Sequence, residues 1–234
     1  MNGWSDSSVV LLIAFILSGI FLMLALFRRQ PSERRKWELF LGISLPIAVA
    51  TLYIIGTTVY RNSISVTKGP VHWHADFRIF VCGEELNIVD PHGLVNLVGS
   101  PLLHEHGDNR VHIEGRVMDW EDITLPRFFS AIGGELTQDH LTLPTNNGST
   151  VSMTNGQTCR DGKTGSVQVF VHSVRDGVVI QQKLGRFDSY RLAPYADVPR
   201  GDCVIIEFDQ DKPKTEHLCQ SYEAALQSGK LRVE

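Results

Sequence analysis

Residues Val9 to Phe27 read VVLLIAFILSGIFLMLALF, 19 positions without a charged side chain. At a helical rise of about 1.5 Å per residue the run reaches about 28 Å, close to the thickness of a bilayer's hydrocarbon core, so it predicts a transmembrane helix. A second apolar run, Leu39 to Tyr60, contains Gly42, Pro46 and Gly56, which bilayer helices tolerate, while Tyr53 and Tyr60 suit an interface. A secretory signal peptide competes for the first run. However, MNGWSDSS has no basic region, and Arg28 and Arg29 stand where a small-residue cleavage site belongs.

Between the spans, residues 28 to 38 carry Arg28, Arg29, Arg34, Arg35 and Lys36, whereas the flank before the first span has only Asp6. The positive-inside rule puts this loop in the cytoplasm and both termini outside. The expectation is a two-span membrane protein: a helical hairpin over 1–60 and an extracytoplasmic domain over 61–234. Chain-wide averages, 43% hydrophobic with net charge -4, conceal that division. The first 60 residues hold five basic and three acidic side chains, leaving 17 basic and 23 acidic of the chain's 22 and 26 for the remainder. A net acidic outer part excludes a long phosphate-binding surface, so nucleic acid is not an expected partner. The lipid bilayer is one, and an envelope protein is another. Oligomeric state has no signature in the sequence.

All four cysteines, Cys82, Cys159, Cys203 and Cys219, fall in the outer part, where an oxidising compartment permits disulfides. Three pairings are open, as are buried free thiols, Cys82 above all. Without a CxxC, a thiolate zinc ribbon or a thioredoxin-like redox motif lacks support.

The outer part reads as an α+β domain with a mostly antiparallel sheet. Apolar residues alternate with polar ones through VHWHADFRIFV, a strand period, and shorter strands are expected at ELNIV and RVHIEGRV. GSVQVFVHSV and GVVIQQKLG flank the hairpin turn Arg175-Asp176-Gly177, and CVIIEFD closes the strand set. The polar stretch from Thr142 to Ser166 reads as an internal loop region with one short strand, STVSM. A helix is expected at TLPRFFSAIGG, capped by Thr124, and a last helix over about Thr215 to Ser228.

Six of the nine histidines lie between residues 72 and 112, as His72-Trp73-His74, His92, His104-Glu105-His106, and His112 followed by Ile113-Glu114. Strand residues two apart project to one face about 6.6 Å from each other, so each HxH offers two imidazoles toward a common centre. Neutral imidazole is a good donor to divalent transition metals, and a carboxylate completes the shell or orients a ligand imidazole. His72, His74, His104, His106, His112 and Glu114 are therefore the expected metal ligands, with zinc or copper as the cofactor. Asp76, Glu105 and Asp108 are further carboxylates in reach. Two readings without an ion compete: a hydrogen-bonded polar cluster that stabilises loop 91–109, and a pH-responsive one. His92, His140, His172 and His217 read as ordinary exposed or satisfied histidines, His92 as a loop residue within reach of the cluster.

The run HWHADFRIFVCGEELNI, then LLHEHGDNRVHIEG and ITLPRFFSAIGGEL, resembles a group of prokaryotic membrane-anchored extracytoplasmic domains with an HWHA, HxH and HIE signature. The likeness spans about residues 70–135, and more loosely the later DGVVI and GDCVIIEF elements. It implies an extracytoplasmic location and metal, copper among the candidates, at His72, His74, His104, His106, His112 and Glu114. Cys82 departs from the pattern, standing in a hairpin turn where a small polar residue is expected. The resemblance supplies architecture more than activity.

Three function classes follow. The first is a membrane-anchored metal-binding module. The second is a metal-dependent hydrolase or oxidase with Glu105 or Glu114 as general base, its catalytic residues otherwise unassigned. The third is a structural or interaction subunit of an envelope complex. HExxH, a cupin spacing, a G-x-S-x-G elbow and a P-loop are all absent, which disfavours helix-based zinc proteases, serine hydrolases and nucleotide enzymes.

Overall fold

The computed structural model describes residues 6–27, 32–192 and 201–233. The chain divides into two compact units, Met1–Ile64 and Ser65–Glu234. In the first, α1 (Asp6–Leu26) and α2 (Glu33–Ile64) are both long and apolar enough to cross a membrane. Neither is buried as the core helix of a soluble protein would be: most of their Leu, Ile, Val and Phe side chains are exposed. Several of their hydroxyls are satisfied within the helix pair, a pattern a bilayer would require. Ser18 Oγ donates to the Ile43 carbonyl at 3.0 Å across the pair, and Ser44, Thr51 and Thr57 donate to carbonyls four residues back.

One boundary differs from expectation. Arg34, Arg35 and Lys36 do not lie in a loop but on the first turn of α2. There Lys36 meets Glu33 at 2.6 Å, and Arg34 and Arg35 meet Glu38 at 3.2 and 2.9 Å. Pairs spaced three and four apart favour helix, so helix continues past the apolar run into the charged segment. Arg28 and Arg29 lie outside the described residues.

The second unit is α+β. Its strands are β1 (Pro70–Val81), β2 (Glu84–Leu86), β3 (Val98–Gly99), β4 (Leu103–Glu105), β5 (Arg110–Arg116), β6 (Glu135–Leu136), β7 (His140–Pro144), β8 (Thr150–Thr154), β9 (Ser166–Arg175), β10 (Val178–Lys183), β11 (Cys203–Asp209) and β12 (Arg232–Val233). Its helices are α3 (Leu125–Ala131) and α4 (Gln220–Gln227), with a 3-10 turn at Trp120–Ile123. The main sheet runs β12-β10-β9-β11-β1-β5-β4-β3, with β2 hairpinned onto β1; β6-β7-β8 form a second, small sheet. Pairing is antiparallel except for β1 with β11 and β10 with β12. β11, CVIIEFD, sits centrally with both faces covered, which explains its apolar run from Cys203 to Ile206.

Side-chain alternation divides the main sheet into two faces. One carries Ala75, Phe77, Ile79, Val111, Ile113, Val204 and Ile206, packed with Phe128 and Phe129 of α3 and with Leu141 and Leu143 of the small sheet. On the other, Phe80, Phe170, Val179, Cys203 and Ile205 pack against Tyr222 and Ala225 of α4. Along β1 this second face reads His72, His74, Asp76, Arg78, Phe80, passing from polar to apolar as it runs under α4.

Both pairs of cysteines are disulfides. Cys82–Cys159 ties the β1–β2 turn to the loop after β8, and Cys203–Cys219 ties the start of β11 to the residue capping α4. Closing loops of 77 and 16 residues stabilises the fold by about 4 and about 3 kcal/mol in the chain-entropy account. The expected last helix begins five residues late. Residues 215–219 are non-helical instead: Thr215 Oγ1 donates to buried Glu207 and Cys219 is fixed to Cys203. Thr124 precedes α3 at the capping position, but its hydroxyl donates back to the Glu121 carbonyl at 3.3 Å rather than capping.

His172 of β9 is buried among the α4 core residues, where Gln181 Nε2 donates to its Nε2 at 2.8 Å. Burial holds its imidazole below the ordinary 6.5. Folding therefore opposes protonation: the neutral ring's contribution is complete above about pH 6.5 and is lost as pH falls from there through the lowered value. Against a His172→Gln variant, the wild-type chain should lose stability faster below pH 6.5, by up to about 1.4 kcal/mol per pH unit, the limit for one proton. Denaturant unfolding of both proteins between pH 7.5 and 5 checks this; a constant difference would contradict it.

Candidate metal centre

The register of three strands assembles the site. β1 and β5 pair antiparallel with His72 opposite Glu114 and His74 opposite His112, and β4 flanks β5 with His104 opposite His112. Directly opposed side chains stand about 4.5–5.5 Å apart at Cβ, so pairing alone gathers four imidazoles and a carboxylate on one face. His106, one residue past β4, turns to the same patch, its ring centroid 4.8 Å from that of His104 and 4.6 Å from that of His112. His74 lies 4.6 Å from both His72 and His112. All six expected ligands are thus brought to one place.

Hydrogen bonds fix which nitrogen of each ring is free. A carbonyl only accepts, so the Ser100 carbonyl 3.2 Å from His104 Nδ1 places the proton there and leaves the Nε2 lone pair open. The Asn96 carbonyl does the same for His106. His112 donates from Nε2 to Asp108 Oδ2 at 3.2 Å, leaving Nδ1 as its lone-pair nitrogen, while His72 Nε2 lies 3.0 Å from Glu114 Oε1 as an ion-pair contact. Nδ1 of His112 and of His74 are buried without a hydrogen-bond partner. Imidazoles braced from behind by carbonyls and carboxylates, with the opposite nitrogen free, are the usual setting of metal-binding histidines.

Among the described residues the donor atoms form two sets, each within a spread of 4.8 Å: His104, His106, His112 and Glu114, and His72, His74 and His112. Tetrahedral ligands at about 2.1 Å from zinc are about 3.4 Å apart, so small side-chain rotations would close either set on an ion. His74 and His104 are buried and the His112 side chain is only 12% exposed, whereas the side chains of His72 and Glu114 are 59% and 41% exposed. The cluster is therefore a recess with one open rim.

Burial pushes the His74 imidazole down to about 4, helped by the neighbouring His112 and His72, and lowers His104 and His112 as well. Glu114 works against the shift at His104, and Asp108 against that at His112. These rings are neutral at pH 7, the form that binds metal.

Two expected carboxylates are elsewhere. Glu105 points away from His104 and His106, as strand alternation dictates, and is buried with Oε1 accepting from the backbone N–H of Asp108 at 2.6 Å and of Asn109 at 3.2 Å. Burial raises its pKa, and it closes the β4–β5 turn rather than serving as a base at the cluster. Asp76 accepts from Arg110 Nε at 2.6 Å and from the Ser221 hydroxyl at the start of α4. Of the remaining histidines, His92 is exposed on its loop and belongs to neither donor set. His140 bonds Thr154 and Thr142 of the small sheet. His217 precedes α4 rather than lying on it and stacks on Phe80 with ring centroids 3.6 Å apart.

Sequence reasoning missed the Ser100 and Asn96 carbonyls, which carry no residue-type signal, and two glycines. A Cβ on Gly201 would lie 1.5 Å from the His74 carbonyl oxygen, and one on Gly99 2.4 Å from the Leu103 oxygen and 2.9 Å from His104 Cα. Both let backbone press against the strands that carry the ligands. Comparison with protein-family models, curated proteins and solved structures finds no match to this chain.

Since that close approach is backbone on backbone, no rotamer change relieves it. Gly201→Ala should destabilise the chain by about 1–3 kcal/mol or more, as overpacking does. Gly185→Ala, with open space around its Cβ, should stay within about 0.5 kcal/mol. Denaturant unfolding of the two variants provides the comparison.

Proposed function

We propose that this chain is a membrane-anchored metal-binding protein that holds zinc or copper in its histidine cluster, on the extracytoplasmic side of the membrane. The observation that carries the reading is the convergence of imidazole nitrogens left free by their hydrogen bonds, two of them buried and unpartnered. Leaving buried polar atoms unpaired costs about 1–3 kcal/mol each, a cost that an ion would remove. With every cysteine in a disulfide, no thiolate competes as a ligand, and an imidazole and carboxylate set suits zinc and copper, copper the more tightly. The same disulfides agree with an oxidising compartment, and the basic segment between the spans agrees with cytoplasmic placement of that connection. The resemblance to prokaryotic membrane-anchored domains points the same way.

A metal-dependent hydrolase or oxidase is the second reading. The exposed rim at His72 and Glu114 supports it, since water or substrate could reach an ion there, and Glu114 would be its general base.

Tag-free full-length chain purified in mild detergent should retain zinc or copper after gel filtration, and Asp108→Ala, which frees His112 from its brace, should weaken binding by about 10–100-fold. A wild-type chain that holds neither metal while both disulfides and the circular-dichroism spectrum are intact would sink the proposal. For orientation, Gln227→Cys should react with a membrane-impermeant maleimide on intact cells, and Glu33→Cys only after permeabilisation; the reverse pattern would place the cluster in the cytoplasm.

A further inference from the structure

A tetrahedral zinc site takes four protein ligands when closed and three when one position is left to solvent. This cluster offers five imidazoles and a carboxylate, more than one such ion uses. Their donor atoms fall into two sets that have only His112 in common. His112 cannot serve both, because its Nε2 proton is committed to Asp108 at 3.2 Å and Nδ1 is its single free nitrogen. Given to the first set, it makes that set four and leaves the second with two. Given to the second, it divides the donors three and three.

Resting on the metal-binding reading above, we propose that the cluster is a two-ion centre, with one divalent transition-metal ion at His104, His106 and Glu114 and another at His72, His74 and His112. Each set crosses the sheet: β4 with β5 in the first, β1 with β5 in the second. Buried His74, its Nδ1 unpartnered and directed among its neighbours, lies in the second set, so that set has its own unsatisfied donor. Glu114 stands between the two, Oε1 at 3.0 Å from His72 Nε2 and Oε2 at 3.9 Å from His104 Nε2. One of its oxygens ligates the first ion while the other lies beside a ligand of the second. Two dications so close repel each other, and Glu114 and Asp108 are the carboxylates that face the rings, so the second ion binds more weakly than the first. Three ligands apiece leave each ion a position for solvent.

The test is zinc stoichiometry on tag-free full-length chain in detergent, titrated and freed of unbound zinc by gel filtration before elemental analysis. Two equivalents per chain are expected, entering in two stages. His72→Ala/His74→Ala and His104→Ala/His106→Ala should each retain about one, and Cu(II) loaded into wild type should lose much of its paramagnetic resonance intensity at the second equivalent through coupling of the pair. Because the double variants touch buried rings, His72→Ala at the exposed rim serves as a second probe. It should weaken the second stage by at least about tenfold and leave the first unchanged. One equivalent in wild type, abolished by either double variant or weakened by His72→Ala, would overturn the two-ion centre and leave a single metal site standing. A wild-type chain that binds neither zinc nor copper would overturn both readings.

Discussion

Pairing of β1 with β5 in a single register is the constraint on which the rest of this domain depends. Side chains alternate across a sheet, so a slip of β5 by one residue against β1 would drive His112 and Glu114 into the face occupied by α3 and pull Val111 and Ile113 out of the core. The hydrophobic residues thus enforce the position of the polar ones. Val111 and Ile113 bury themselves beneath Phe128 and Phe129; in doing so they aim His112 and Glu114 the other way. The parallel neighbour β11 supports β1 along its second half and leaves its first half, where the histidines lie, to β5.

The face so formed is used unevenly. Where α4 covers it, the side chains are apolar and a disulfide secures the cover; at the first turn of α4, Asp76, Arg110 and Ser221 form a polar seam. The histidines begin beyond the seam. Burial lowers the pKa of His74, His104 and His112, while the side chains of His72 and Glu114 stay in contact with solvent.

Much of this was legible in the residues. Alternation in VHWHADFRIFV placed β1, and two HxH pairs with HIE named the side chains that meet, because strand period and strand pairing are local rules that act on residue type. The second hairpin could be read from Asp176-Gly177, both at positive φ. What could not be read depends on distant contacts. Thr215 to Cys219 read as the start of a helix, yet Glu207 and Cys203 hold them out of it. Glu105 looks like a ligand from its place between two histidines, and that same place turns it to the opposite face. Disulfide partners came only with the fold, since the turn at Cys82 meets a loop 77 residues away. Gly99 and Gly201 resemble any other turn glycines until the strand beside them is known.

The braces behind His104 and His106 are main-chain oxygens, those of Ser100 and Asn96. A carbonyl is supplied by every amino acid, so substitutions at positions 96 and 100 leave these braces in place provided the path of the loop is kept. An inserted or deleted residue would shift both oxygens out of line at once. In evolutionary terms, apart from Gly99 and the buried Ile88 the segment between β2 and β4 should drift in spelling and hardly at all in length, a pattern of constraint that a search for invariant letters would largely overlook.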